Sequence, residues 1–217
     1  MNKMYQRSFL LLCLLSLLAC QSAYYSAMET VGQHKRDIMV DRVEDAQDAQ
    51  QQAQQEFKSA LEQFSELIAF DGGDLAEQYE LTNDHFEASK EAAQEVSDRI
   101  EGVEDVAEAL FAEWRDEINR YSSAKLKRQS QSKLSKTEQH YQSLIKSMHR
   151  AEKKMAPVLA ALKDNSLYLK HNLNARAIGT LEGEYQSIKR DVQSLLAEMN
   201  KAIAQSQQFI DLLEPGS

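Results

Sequence analysis

In 217 residues the chain carries only seven glycines and two prolines, against an abundance of Ala, Glu, Gln, Lys, Leu and Ser. So many helix formers exclude a sheet-rich fold. A hydrophobic fraction of 42%, with one Trp, seven Phe and eight Tyr, suits narrow seams between helices better than a bulky core, and the net charge of −9 argues against nucleic acid as a partner.

The charge is unevenly spread. Residues 41–120 hold 23 acids and 6 bases, whereas residues 121–176 hold 12 bases and 3 acids. The simpler arrangement lays the basic helix against the acidic ones, where modest ion pairs help decide which helices are neighbours. The sharper one turns a basic stripe toward anionic lipid headgroups or another acidic polymer.

At the amino terminus, Lys3 and Arg7 precede an apolar run of eleven residues, Phe9 to Ala19. At about 1.5 Å per residue the run spans roughly 16 Å, well short of a ~30 Å hydrocarbon core. It reads as the core of a signal peptide rather than a membrane anchor. The run ends Leu17-Leu18-Ala19-Cys20, which resembles the bacterial lipobox. That resemblance implies removal of residues 1–19, lipid on Cys20 and a short tether at 20–22. Cys13 leaves with the signal, so Cys20 becomes the only thiol and no intramolecular disulfide can form. Two or more acyl chains hold a protein stably to a membrane. Gln21 follows Cys20, whereas an Asp there resembles an inner-membrane retention signal. The expected location is therefore the periplasmic face of the outer membrane.

Beyond the tether, apolar residues recur at alternating steps of three and four, the heptad signature of a helix seam. The first seam settles into Ala46, Ala49, Ala53, Phe57, Ala60, Phe64 and Leu67. The second runs Ala93, Val96, Ile100, Val103, Ala107, Leu110, Trp114, and the third from Leu134 through Tyr141 and Met148 to Leu162. The fourth runs from Ile178 through Val192 and Met199 to Leu213. Breaks fall at Asp71-Gly72-Gly73-Asp74, Tyr121-Ser122-Ser123 and Asn172-Leu173-Asn174, and Glu214-Pro215-Gly216 ends the pattern. Pro157 should kink or locally adjust the third helix.

These signals predict an all-α, elongated antiparallel coiled coil or four-helix bundle. One domain covers 23–213, with helices near 23–70, 75–121, 124–171 and 175–213 and a tail at 214–217. Short connections make successive helices antiparallel. The pattern leaves open whether the four lie side by side or stack as two pairs. Leftover apolar residues Tyr24, Tyr25, Met28 and Val31 can pair between chains, giving a homo-oligomer, or rest on the membrane.

No catalytic constellation emerges, and the expectation is a non-enzyme without cofactor or metal. No Gly-x-Ser-x-Gly elbow or phosphate-binding loop is present. A di-iron bundle needs Glu three positions before His, yet Val31, Thr82, Thr137, Lys146 and Tyr168 stand there. Two polar clusters remain as candidate docking surfaces for an envelope protein. One is His34-Lys35-Arg36-Asp37 near the tether, and the other holds Lys170, His171, Asn174 and Arg176 at the last turn.

The segments Gly32 to Ala46, Phe70 to Leu75 and Leu169 to Ile178 look like those of a family of uncharacterised bacterial coiled-coil lipoproteins bearing a domain-of-unknown-function label. The resemblance covers nearly all of 20–213 and implies the same helical body, but no activity. The leading expectation is a lipid-anchored structural or interaction component of the envelope. A regulator or adaptor of an envelope enzyme or transporter comes second, and an enzyme with an unrecognised site third.

Overall fold

The structure is a computed structural model that describes residues 34–70 and 72–214, with backbone alone for 175–177. The signal peptide, Cys20, the tether, the helix expected over 23–33, Asp71 and residues 215–217 lie outside the described residues.

Four helices account for nearly everything described: α1 (Lys35–Ile68), α2 (Leu75–Arg120), α3 (Ala124–His171) and α4 (Ala175–Leu213). Each terminus follows from local chemistry. Asp74 caps α2 by accepting the Ala76 N–H at 2.8 Å, and Ser123 caps α3 by accepting the Leu126 N–H at 3.4 Å. Asn172 closes α3, its backbone N–H on the Leu169 carbonyl and its amide on that of Tyr168. Gly73 takes φ of +131°, where a side chain is strained, and a Cβ there would lie 3.0 Å from the Phe70 ring. The turn between α1 and α2 therefore needs this glycine. The third helix runs unbroken through Pro157, which is exposed, so water can take the carbonyl left without its amide partner.

Every position of the four seams is buried or half-buried. Cross-helix pairs fix the register. Asp45 meets Arg99 at 3.4 Å, Asn83 meets Ser166 at 3.2 Å, Arg150 meets Glu198 at 3.5 Å, and Gln54 meets Asn200 at 3.0 Å. Against these, Lys35 with Glu113, Glu104 with His149, Tyr141 with Phe209 and Phe64 with Tyr185 show one number rising as the other falls, so every neighbour is antiparallel. Helix α1 packs on α2 and α4, and α3 packs on α2 and α4, while the diagonals make at most marginal contact. The arrangement left open by the seams is therefore side by side: an up-down-up-down bundle around one continuous core. The 48-residue α3 sets a length of about 70 Å.

Several seam positions are polar, and local bonds satisfy them. Thr82, Ser89, Thr137 and Ser206 each donate to the carbonyl four residues back, at 2.8 to 3.1 Å. Aromatic rings fill one layer, with Tyr141 5.4 Å from Phe111 and 6.4 Å from Phe209 between centroids. Burial there, followed by Glu104 and Glu108, pushes the Tyr141 phenol up to about 12.

Candidate functional site

The two ends of the bundle differ, and the longer helices make the difference. Lys35, in the first turn of α1, bonds Glu113 of α2 at 3.2 Å. Helix α2 continues seven residues further to Arg120, about 10 Å. With Arg150 opposite Glu198, the end of α4 at Leu213 falls near residue 135 of α3. The α2–α3 hairpin thus projects beyond the described ends of α1 and α4.

A cleft of about 620 Å³ lies at the root of that projection. His34, Lys35, Glu113, Trp114, Glu117 and Lys133 line it, with Tyr121 and Leu126 toward the tip. The Trp114 indole donates to Ser130 Oγ at 2.9 Å, which turns its ring edge between α2 and α3. The His34 N–H donates to the Asp37 carboxylate at 3.4 Å, and the Asp37 N–H donates back to the His34 carbonyl at 2.9 Å. The first predicted cluster is thus a helix start built into a charged cleft of both signs, around one indole.

The second cluster sits at the other end. Lys170 and His171 are exposed in the last turn of α3, where cations complement the helix dipole. Asn174 precedes α4, its N–H on the Asn172 carbonyl at 2.8 Å. Arg176 is placed by its backbone alone, as the second residue of α4. The 34-residue α1 separates the two clusters by about 50 Å. They do not form one site.

One polar group between the ends escaped the sequence reading. His149 of α3 places Nδ1 2.8 Å from Glu152 and Nε2 3.1 Å from Glu104 of α2. Ser97 of α2 donates to the other oxygen of Glu152 at 2.7 Å. Partial burial lowers the His149 pKa, but the hydrogen bonds and charges of Glu152 and Glu104 outweigh it and the pKa is raised. Glu152, three positions on, was a local signal; Glu104, 45 positions away, was not. The two carboxylates approach opposite nitrogens of the ring, an arrangement that clamps two helices and does not converge on an ion. Among the described residues no group of three or more His, Cys, Asp or Glu is placed to hold a metal.

The basic α3 lies against acidic α2, but its other neighbour α4 carries five acids and four bases, acidic α1 is diagonal to it, and few of its cations are paired. Among the described residues only His149 and Arg150 of its basic side chains have a carboxylate partner. Arg115 and Glu138 pair with the signs reversed. Most α3 lysines face outward.

The architecture defines an antiparallel four-helix bundle whose ends, rather than its core, carry the polar features. The chain matches, over residues 24–213, the family described as "Protein of unknown function (DUF2959)", and it belongs to that family. No curated protein and no solved structure matches it.

Proposed function

We propose that the protein is a lipid-anchored component of the bacterial envelope, held by Cys20 at the periplasmic face of the outer membrane, and that it spaces or scaffolds envelope partners without catalysis. The observation that carries this reading is the Leu17-Leu18-Ala19-Cys20 junction. It ends an apolar run and stands four residues before the family match begins at residue 24. Among the described residues no helix is long and apolar enough to cross a membrane. On this reading the attachment is the lipid on Cys20. Two polar ends about 50 Å apart suit a spacer with a contact at each.

Feeding cells an alkyne analogue of palmitate labels the wild-type chain and not Cys20→Ser. An unlabelled wild type overturns the anchor. Crosslinking in cells recovers a reproducible envelope partner. Finding none, together with unchanged envelope integrity in a deletion strain, overturns the scaffold.

The cleft at the α1 end favours a second reading, an adaptor that acts through that end alone. Charge reversal at Arg36 then abolishes the phenotype while reversal at Lys170 leaves it intact, with thermal unfolding unchanged in both.

A further inference from the structure

From Asn119 to Lys136 the chain holds six basic residues and no acid: Arg120, Lys125, Lys127, Arg128, Lys133 and Lys136. The structure gathers them on the projecting α2–α3 hairpin, five of them exposed and Lys127 half-exposed. Among the described residues no carboxylate pairs with any of them. Asp116 and Glu117 lie nearer the root, so residues 113–136 still count seven bases against three acids. Tyr121 and Leu126 stand among these cations with 43% and 50% of their surface exposed.

We infer that this hairpin tip is a contact surface for anionic phospholipid headgroups. Charge complementarity is the first argument. Basic side chains near an anionic leaflet each contribute about 1 kcal/mol, a factor of about five in binding. An aromatic and an aliphatic side chain beside the cations suit the boundary between headgroups and acyl chains. Position is the second argument. The described part of α1 begins at His34, at this same end of the bundle. Cys20 lies fourteen residues earlier, and such a segment spans at most about 50 Å. The tip rises only about 10 Å beyond the Lys35–Glu113 pair. A lipid on Cys20 therefore tethers the bundle at its hairpin end, and the tip stands within the reach of that tether. This orientation rests on the lipid-anchor reading; the affinity of the tip for headgroups does not.

The rest of the basic face differs in its surroundings. Lys146, Lys153 and Lys154 lie on the stretch of α3 where His149 joins Glu104 of α2 and Glu152 of α3. Of the six hairpin cations, only Lys133 shares the cleft with acids, Glu113 and Glu117.

The test uses the mature chain from residue 20 with Cys20→Ser, free of lipid, floated with vesicles. Binding appears with about 30% phosphatidylglycerol, is absent with phosphatidylcholine alone, and weakens steeply as salt rises above about 0.1 M. Lys125→Ala, Lys127→Ala and Arg128→Ala together weaken it about 100-fold, at about fivefold for each cation. Lys146→Ala, Lys153→Ala and Lys154→Ala together leave it within about fivefold of the parent. Circular dichroism of both triple variants matches the parent, since none of the six side chains is buried. Equal loss in the two variants, or binding indifferent to phosphatidylglycerol, overturns the assignment. So does binding to an acidic polypeptide as tight as to the vesicles. Labelling of Cys20 is read separately in cells, so failure of either result leaves the other standing.

Discussion

Gln50 is wholly buried on α1, and neither its amide nitrogen nor its carbonyl oxygen finds a hydrogen-bond partner. Ser147 Oγ on α3 is in the same condition. The register set by Gln54 with Asn200 and Arg150 with Glu198 brings both residues to one level of the core. Leaving such groups unpaired costs about 1–3 kcal/mol each, whereas an apolar side chain of similar size costs nothing comparable. Gln50→Leu is therefore expected to stabilise the bundle by about 1–2 kcal/mol, raising the melting temperature by about 2–4 °C per kcal/mol. An unchanged or lower melting temperature counts against an unpaired amide. His149 gives a second expectation, with its sign set by a raised pKa. Its clamp on Glu104 and Glu152 is fully present below the unfolded value of 6.5 and is lost as pH rises through the raised folded value. With 46% of its side chain exposed, the clamp is worth only a few tenths of a kcal/mol. Comparison of wild type with His149→Gln by urea unfolding should show their difference at about pH 5.5 and none by about pH 9. A difference that grows with pH contradicts the geometry.

At the scale of the elements, the helices were legible because their interior positions are strongly apolar and strictly spaced. Phe57, Val96, Met148 and Val192 announce the seams, and all four are fully buried. The helix over 75–121 was legible, but the seam in its first half was not, since Thr82 and Ser89 occupy it. Those side chains look like solvent-facing residues until the carbonyls four back are seen to satisfy them. Breaks were legible where caps are chemical, at Asp74 and Ser123, but the role of one glycine over its neighbour was not. Gly73 takes the positive φ, and nothing crowds Gly72. Gly73→Ala should cost about 1–3 kcal/mol in thermal unfolding, and Gly72→Ala much less. Equal effects at the two positions would mean that the turn does not depend on this backbone conformation. The charge totals made the packing of α3 on acidic α2 legible, but not the near-neutral α4 on its other side nor the outward direction of most α3 lysines. Direction follows from helix phase against a core that sequence alone does not place.

The whole molecule is where the seams said least. Side-by-side and end-to-end bundles bury the same stripes, and only contacts of α1 with α4, such as Gln54 with Asn200, separate them. The same arrangement decides that His34 to Asp37 and Lys170 to Arg176 stand at opposite ends. It also gives the rod a polarity, with the start of α1 and the basic hairpin at one end and the α3–α4 turn at the other. On this account lipid supplies permanent attachment and the hairpin supplies orientation through a contact that salt can dissolve. The direct measurement is membrane fractionation with a high-salt wash, comparing the native chain with Cys20→Ser exported behind an ordinary cleavable signal. The native chain should stay with the membranes and the serine chain should leave in the wash. A serine chain that stays with the membranes contradicts anchoring through Cys20.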